Sequence, residues 1–266
     1  MNTLSRMSFL GSGLDWLRAA TITVLGAGGG GSHIAQQIAH LGIGRLVIVD
    51  HDRLEESNVN RVVGASYRDV GRFKAELLAE RFRDLRTDII AVTARAEAKE
   101  GRYWIEQSDL VFGAVDGARA RNNIEQICRA ALVPYIDIGM RIHVGEDSAT
   151  IAGIGGQVVT SLPGGPCLRC AGVVTDALLL ADREEYLVGR PEQQVISMNG
   201  LLASQAVNGM LAVMTDYASD FPPSAVIRYD GLRHAMFSDR FIHDQCHHYP
   251  LDSAGWKYVF TVTGES

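Results

Sequence analysis

The residues best suited to chemistry begin with a glycine-rich turn. It follows an apolar run at residues 21–26 and precedes a helical pattern at 31–41. Glycine permits a tight turn there and lets backbone N–H groups approach phosphates at the positive end of a helix. The pattern is G-x-G-G-x-G-S, formed by Gly26, Gly28, Gly29, Gly31 and Ser32. We predict a nucleotide-binding loop, with Asp50, 19 residues after Gly31, at the end of the next strand and placed to bind a ribose hydroxyl.

A second group of polar residues distinguishes between the kinds of nucleotide that such a loop can bind. A nicotinamide dinucleotide and ATP both fit the glycines and Asp50. The polar residues that follow are Asp52, Asn58, Arg61 and Lys74. Two cations beside a polyphosphate suit triphosphate chemistry, in which negative charge moves onto the leaving phosphates. Asp116 ends a later apolar run, and a carboxylate beside a polyphosphate is a natural Mg²⁺ ligand. Each cation alone is typical of solvated surface, but the combination favours ATP with Mg²⁺.

Strand and helix patterns alternate over the first 140 residues. Continuous apolar runs predict buried strands, and apolar residues three or four apart predict helices. The strands are 21–26, 45–50, 88–94, 109–116 and 133–140, and the helices are 31–41, 73–85 and 118–131. Later strands within 155–170 and 224–231 have no crossover helix of this kind, and a long helix at 196–214 lies between them.

This alternation predicts an α/β fold. We expect a Rossmann-like doubly wound sheet that is parallel in the first half, with an antiparallel or mixed extension in the second half. We find no low-complexity linker, and residues 173–194 are the best candidate for a mobile loop.

The composition is that of a globular protein. Apolar residues make up 47% of the 266 residues, and the formal net charge is −6. An acidic chain argues against a nucleic-acid partner, because phosphate binding needs a basic surface. No apolar run reaches about 18 residues and no charged start precedes an apolar core, so we expect neither a membrane span nor a signal peptide. Four unevenly placed cysteines do not resemble a secreted disulfide framework, and we expect a cytoplasmic protein.

Five segments in order carry a resemblance to a known family. They are the glycine loop, VDHDRLEESNVNR, DVGRFKAE, VFGAVDGARARNN and GGQVVTSLPGGPCLRC. Together they resemble the ubiquitin-activating superfamily in its compact bacterial form, the ThiF-type adenylyltransferases of thiamine and molybdopterin synthesis. The resemblance implies one adenylation domain over 1–266, made of an N-terminal arm (1–20), a nucleotide-binding half (21–140) and a mixed-sheet half (141–266). It also implies ATP-dependent adenylation of the C-terminal glycine of a ubiquitin-like or sulfur-carrier protein, with release of pyrophosphate.

The resemblance assigns roles to individual residues. Phosphates would contact the backbone of Gly28 and Gly29 and the side chains of Asn58, Arg61 and Lys74, while Asp50 would bind ribose and Asp116 would bind Mg²⁺. The family usually forms a symmetric homodimer in which an N-terminal arginine reaches the partner's ATP. Arg6 is the candidate for that arginine here.

The cysteines near the end of the chain suggest a metal site. Cys167 and Cys170 form a C-x-x-C after a Pro-Gly-Gly-Pro turn, and relatives of this type often hold a structural zinc with a second C-x-x-C. The segment FIHDQCHHYP instead offers Cys246, with His243 at the same spacing and His248 just after. A Cys₃His site suits Zn²⁺. We predict Cys167, Cys170, His243 and Cys246 as ligands, with His248 as the reserve and reduced or redox-active cysteines as the alternative.

The fate of the adenylate depends on a further cysteine. Relatives that pass the substrate on as a thioester carry a cysteine after the C-x-x-C, and residues 171–245 contain none. Cys128 lies on the apolar face of its predicted helix and is expected in the core. We therefore expect the acyl adenylate to pass to a sulfur donor or sulfurtransferase, or to a conjugating enzyme's cysteine. The chain's own surface, around 171–195, would recruit the carrier.

Three other functions remain as alternatives. An NAD(P)-dependent oxidoreductase explains the glycines and Asp50 but leaves Arg61, Lys74 and Asp116 without a role. A tRNA-modifying, ATP-dependent dehydratase of the same superfamily is disfavoured by the acidic charge. A non-catalytic subunit is disfavoured by the complete set of cations and carboxylate.

Overall fold

The computed structural model describes residues 5–145, 150–185, 193–218, 226–239 and 246–249. The strands of the first half are β1 (Thr21–Leu25), β2 (Arg45–Val49), β3 (Asp88–Val92), β4 (Leu110–Gly113) and β5 (Tyr135–Val144). The helices of this half are α1 (Gly13–Ala19), α2 (Gly29–Leu41), α3 (Lys74–Phe82), α4 (Lys99–Glu106) and α5 (Ala118–Ala131). The second half adds β6 (Ile151–Ser161), α6 (Asp176–Glu185), α7 (Ile196–Met214), β7 (Val226–Asp230) and β8 (Ala235–Asp239).

The strands of the described residues form one sheet in the order β3-β2-β1-β4-β5-β6-β7-β8. Pairing is parallel from β3 to β5 and antiparallel from β5 to β8. This confirms the predicted Rossmann-like sheet with an antiparallel extension. The strand order reverses direction between β1 and β4, and open α/β sheets bind ligands in the crevice at such a point.

Four elements were not foreseen, and one of them corrects a prediction. The short elements α1, α4 and β8 have eight residues or fewer, which is too short for periodicity to stand out. Residues 176–185, expected in a mobile loop, form α6 instead. Thr175 fixes its start, because Thr175 Oγ1 accepts a hydrogen bond from Leu178 N at 3.2 Å. Residues 186–192 of the same segment lie outside the described residues.

Two apolar cores flank the sheet. Helices α2, α3 and α7 pack on one face, around Ile34, Leu78 and Leu202, while α4 and α5 pack on the other, around Ile105. Cys128 lies in the second core with no exposed surface, as predicted, and burial raises the pKa of its thiol. Within the described part of the chain, no helix combines the length and the apolarity needed to cross a bilayer.

Candidate active site

A pocket opens at the carboxyl ends of β1 and β4, where the strand order reverses. Its lining includes six of the residues predicted to bind nucleotide: Gly28, Gly29, Asn58, Arg61, Lys74 and Asp116. They come from the turn after β1, the segment between β2 and α3, the start of α3 and the turn after β4. Because parallel strands all point the same way, these segments meet at one edge of the sheet.

The glycines of the loop have two different tasks. A Cβ on Gly31 would lie 1.8 Å from the Gly26 carbonyl oxygen, so Gly31 permits close backbone packing. Gly26 has a φ of +89°, which favours glycine, and a Cβ there would lie 2.5 Å from the Ala114 oxygen. Neither residue lines the pocket. Gly28 does line it, and a Cβ on Gly28 would have no other atom within 4 Å.

Alanine substitutions are expected to separate these tasks. Gly31→Ala should lower the free energy of unfolding by about 2–4 kcal/mol, because the new methyl group clashes with backbone. Gly28→Ala should change stability by less than about 0.5 kcal/mol. It should weaken ATP binding at least about tenfold, since the methyl group takes space beside the phosphates. Urea unfolding and calorimetric titration measure the two effects, and similar behaviour of both variants would contradict the division of tasks.

Asp50 lies behind the pocket and holds the glycine loop. Its Oδ2 accepts a hydrogen bond from Ala27 N at 2.6 Å, and its Oδ1 accepts one from Asp52 N at 2.7 Å. Burial raises the pKa of Asp50, and these two N–H donors oppose that shift. The carboxylate does not line the pocket as it stands. Its contact with a ribose therefore stays a prediction.

Ser32 joins the loop to the segment that carries Asn58 and Arg61. Its Oγ donates to the Gly29 oxygen and accepts from Val63 N, both at 3.0 Å. Ser32, predicted to bind nucleotide, is buried and does not line the pocket. Asn58 is buried at the end of a 3₁₀ turn. Arg61 N donates to the Asn58 oxygen at 3.0 Å, so the two side chains are placed together at the pocket.

Lys74 is the first residue of α3, and a short antiparallel pairing brings it to the pocket. Lys74 N donates to the Asp52 oxygen at 3.0 Å, next to a β-bridge between Arg53 and Phe73. Lys74 Nζ lies 3.0 Å from Asp52 Oδ2. Asp52, predicted to bind the nucleotide, is not part of the lining and instead pairs with this lysine.

Asp69 stabilises the turn that leads into α3 through hydrogen bonds. Its Oδ2 accepts hydrogen bonds from Ser66 N at 2.9 Å and Ser66 Oγ at 2.6 Å, and Arg81 Nη2 donates to it at 2.8 Å. The Ser66 hydroxyl, followed by Arg81, lowers the pKa of Asp69 to about 2. These hydrogen bonds fix the start of α3 and therefore the backbone position of Lys74.

Asp69→Asn is expected to lower the free energy of unfolding by about 1–2 kcal/mol at neutral pH, because Arg81 loses its partner. The folded-state pKa of about 2 is below the ordinary 3.8, so the stabilisation is present above about pH 4. It is lost as the pH falls toward 2. In urea unfolding the gap between wild type and variant should therefore narrow from about pH 5 to about pH 2.5. A gap that stays constant would contradict this role; Asp84→Asn, an exposed acid, is the control.

Asp116 is exposed where β4 turns into α5. Among the described residues its carboxylate has no hydrogen-bond or ion-pair partner, although it lines the pocket with the cations Arg61, Lys74 and Arg121. The following residue, Gly117, has a φ of +84°, which lets the chain turn sharply into α5. The carboxylate is therefore available to a ligand.

Arg6 is exposed in a 3₁₀ turn at Ser5–Leu10 and does not line the pocket. The structure thus does not bring Arg6 to the chain's own site. Its action on a partner's ATP stays a prediction.

Three cysteines and a histidine meet at the end of the C-x-x-C turn. Cys170 Sγ lies 3.6 Å from Cys167 Sγ and 3.8 Å from Cys246 Sγ. His248 Nδ1 lies 3.4 Å from Cys167 Sγ and 3.5 Å from Cys170 Sγ. A tetrahedron with bonds of about 2.3 Å to sulfur and 2.0–2.1 Å to nitrogen has S···S edges of about 3.8 Å and S···N edges of about 3.5 Å. These four residues can therefore hold a metal ion. His248, the reserve ligand, is the histidine in the cluster, and His243 lies outside the described residues.

The sequence matches the model of the ThiF family over residues 4–248. This chain belongs to the ThiF family. The SAMP-activating enzyme E1 of Haloferax volcanii is 34% identical over 156 residues, which are 58% of this chain and 54% of the relative. The tRNA threonylcarbamoyladenosine dehydratase of Bacillus subtilis is 35% identical over 129 residues (47% and 50%). The adenylyltransferase and sulfurtransferase uba4 of Aspergillus clavatus is 28% identical over 217 residues (79% and 43%). The chain spans about half the length of these relatives.

Solved structures show the same fold. E. coli MccB in complex with ATP aligns with a TM-score of 0.70 at 18% identity, covering 93% of this chain and 73% of that one. E. coli MccB with succinimide aligns with a TM-score of 0.73 at 18% identity, covering 91% and 72%. At this level of identity the likeness shows the fold alone. The mixed sheet of this ThiF-family chain therefore has a known architecture.

Three polar residues that line the pocket of this ThiF-family chain were missed by the sequence reasoning: Arg121, Gln194 and Asn199. Arg121 Nη1 donates to Asp137 Oδ2 at 3.0 Å, across the base of the pocket. Its position five residues after Asp116 in DGARARNN was a usable signal. Asn199 lies in the first turn of α7, and a Cβ on Gly29 would lie 2.2 Å from its Nδ2. No local pattern places Asn199 there.

Proposed function

We propose that this chain adenylates the C-terminal glycine carboxylate of a ubiquitin-like or sulfur-carrier protein with ATP and Mg²⁺. A carboxylate oxygen attacks the α-phosphate of ATP, forming an acyl adenylate and releasing pyrophosphate. One observation carries the proposal: a helix N-terminus, three cations and a carboxylate without a partner among the described residues meet in one pocket at the reversal point of the sheet. Each of these groups suits a triphosphate, and a dinucleotide for redox work needs neither the cations nor the carboxylate.

The cations and the helix would act on the departing phosphates. The first N–H groups of α2 have no partner within the helix and lie at its positive end, beside Gly28 and Gly29. Departure of pyrophosphate increases the negative charge on the β- and γ-phosphates. Arg61 and Lys74 are positioned before the reaction, so they stabilise that charge without reorganising. The ion pair with Asp52 keeps the Lys74 ammonium in place.

The residues present also fit Mg²⁺. The Asp116 carboxylate is a hard oxygen ligand at the edge of the pocket. A bound Mg²⁺ ion would neutralise phosphate charge and orient the triphosphate. Asp116 would hold the ion, and Arg61 and Lys74 would hold the phosphates beside it.

We also propose that Cys167, Cys170, Cys246 and His248 bind a structural Zn²⁺. The distances among the four ligand atoms match a closed tetrahedral site, and a structural zinc keeps no open position. The hydrogen bond between Cys167 and Cys246 lowers the pKa of Cys246 and raises that of Cys167, which favours one thiolate and one thiol. Zinc requires both sulfurs as thiolates, so its binding would release the remaining proton.

The names of the relatives support the substrate class, since one is a SAMP-activating enzyme and another an adenylyltransferase and sulfurtransferase. Residues 171–245 contain no cysteine and Cys128 is buried in the core. The acyl adenylate would therefore pass directly to a sulfur donor, a sulfurtransferase or a conjugating enzyme. A homodimer in which Arg6 reaches the partner's ATP is part of this proposal.

Calorimetric titration of the purified chain tests the nucleotide first. ATP with Mg²⁺ should bind, ATP with a chelator should bind more weakly, and NADH should give no heat. Binding of NADH but not ATP would overturn the proposal in favour of an oxidoreductase. Small glycine-terminated proteins encoded by neighbouring genes are then incubated with the chain and ATP. Mass spectrometry should detect AMP on the C-terminus of one of them.

A second candidate is ATP-dependent dehydration of a modified tRNA, favoured by the similarity to the Bacillus subtilis dehydratase. The formal net charge of −6 disfavours it, because tRNA binding needs a basic surface. Adding total tRNA in place of a carrier protein discriminates the two. ATP consumption that is stimulated by tRNA, and by no carrier, would establish this second function.

A further inference from the structure

The helix α5 begins beside the proposed Mg²⁺ ligand without a cap of its own. Its N-cap residue is Gly117, which has no side chain to accept a hydrogen bond from the first N–H groups of the helix. Asp116, whose carboxylate lines the nucleotide pocket, immediately precedes this glycine. The position of that carboxylate therefore depends on a helix start that its own N-cap residue cannot stabilise.

A carboxylate from a distant segment supplies the missing cap. Asp182 Oδ2 accepts a hydrogen bond from Arg119 N at 2.7 Å, although the two residues are 63 positions apart in the sequence. Arg119 is the second residue of α5, and a helix cap usually accepts from the N–H of the second or third residue. Asp182 belongs to α6, which packs against α5. It therefore caps a helix other than its own.

The turn at Gly117 has the shape that this carboxylate needs. Gly117 has a φ of +84°, and a Cβ there would lie 2.9 Å from Asp182 Oδ2. A larger residue would strain the backbone and also push the carboxylate away from Arg119 N. The negative charge lies at the positive end of α5, where it is favourable. Gly117 makes the sharp turn, and Asp182 holds it.

The helix α6 is itself anchored, so it presents this carboxylate from an ordered element. Thr175 caps the start of α6, and Leu179 packs against the second core. Because Leu179 and Asp182 are three residues apart, they lie on the same face of the helix. The neighbouring Leu180 is 66% exposed and points away from the core. The face that is anchored in the core is therefore the face that caps α5.

We propose that Asp182 is a positioning residue for the Mg²⁺ site. By capping α5 it holds the turn at Gly117, and thereby Asp116, at the nucleotide pocket. This inference rests on the function proposed above, in which Asp116 binds Mg²⁺. Asp182 does not line the nucleotide pocket, so it acts through the backbone of α5 and not by contact with ATP or the ion. Docking of α6 and affinity for Mg²⁺ are therefore coupled, and each strengthens the other.

Calorimetric titration of the chain with ATP at increasing Mg²⁺ concentrations tests this role. Asp182→Ala removes the cap and should raise the Mg²⁺ concentration for half-maximal ATP binding about fivefold, the factor that corresponds to loss of one helix cap. At saturating Mg²⁺ its Kd for ATP should return to within about twofold of wild type, because the ATP contacts are intact. Asp182→Asn keeps an oxygen that can accept from Arg119 N, so it should restore the wild-type Mg²⁺ dependence.

Backbone hydrogen exchange followed by NMR tests the cap without any ligand. The Arg119 amide should exchange at least about tenfold faster in Asp182→Ala than in wild type, and at a near wild-type rate in Asp182→Asn. The control is Glu100→Ala, which removes an exposed carboxylate from the first turn of α4, outside the pocket. This control should change neither the exchange of Arg119 nor the Mg²⁺ dependence.

A wild-type Mg²⁺ dependence for Asp182→Ala would overturn the inference. A loss of Mg²⁺ affinity that Asp182→Asn shares in full would also overturn it, because the charge and not the cap would then be responsible. Asp116→Asn, titrated in parallel, separates the two proposals. If Asp116→Asn weakens the Mg²⁺ dependence and Asp182→Ala does not, only the positioning role is refuted. If Asp116→Asn leaves it unchanged, the metal assignment itself is refuted.

Discussion

Replacing Asp116 with asparagine is expected to slow carrier adenylation by about 10²- to 10³-fold while the protein stays folded. Asparagine keeps the shape of the side chain but lacks the negative charge that Mg²⁺ requires. Asp116 is exposed and, among the described residues, unpaired, so its loss removes no packing or ion pair. ATP–pyrophosphate exchange with the carrier measures the rate. Urea unfolding should stay within about 0.5 kcal/mol of wild type.

The Mg²⁺ dependence of the rate distinguishes a metal ligand from a residue that merely touches ATP. The Asp116→Asn variant should need more Mg²⁺ for half of its maximal rate. Lys74→Met should lose a similar factor in rate but keep the wild-type Mg²⁺ dependence, because the lysine acts on phosphate. Asp84→Asn removes a 94% exposed acid that does not line the pocket, and it should change neither quantity. A wild-type rate for Asp116→Asn would refute the metal assignment.

The nucleotide pocket could be predicted because its residues follow strands. Gly28, Asn58, Lys74 and Asp116 are spread over almost 90 residues, yet each lies in a connection that follows β1, β2 or β4. Apolar runs predicted those strands, and a parallel sheet places their carboxyl ends together. The predicted strands were therefore enough to predict which residues meet in the pocket, even though the predicted C-terminal ends of β1, β2 and β4 differ from the observed ends by one to three residues.

Residues that reach the pocket from elsewhere in the chain could not be predicted this way. Asn199 and Gln194 belong to α7 and the residues before it, and the packing of α7 on α2 brings them over the glycine loop. Nothing in the local sequence encodes that packing. The same holds for the histidine of the metal cluster, because the spacing rule favours His243 and only the tertiary structure places His248 beside Cys167.

The α5 helix links the nucleotide pocket to the cysteine cluster through buried charges. Arg129 donates to the carbonyl oxygens of Gly165 and Pro166, both at 2.8 Å. Glu125 accepts a hydrogen bond from Leu168 N at 3.0 Å, and burial raises its pKa to about 7 while Arg129 opposes the shift. Both side chains are fully or nearly buried, so they depend on the turn around the first cysteine for partners.

Loss of the metal is therefore expected to have a large effect on stability. Cys167→Ser should abolish zinc binding and lower the free energy of unfolding by more than about 4 kcal/mol. The turn is then free to move, and Glu125 and Arg129 lose buried hydrogen bonds as well as the metal's contribution. Zinc content by mass spectrometry and Tm by calorimetry measure the effect. His248→Ala should also lose zinc, whereas His243→Ala should retain it.

Cys128→Ala is the matched control for these variants. Cys128 is also a buried free cysteine, but it belongs to the second core and not to the metal cluster. It should retain one zinc per chain and lose only about 1 kcal/mol, the cost of a small cavity. A wild-type protein that contains no zinc, with a Tm unchanged by a chelator, would refute the metal site. The turn would then be supported by Glu125 and Arg129 alone, and Cys167→Ser would cost little more than Cys128→Ala.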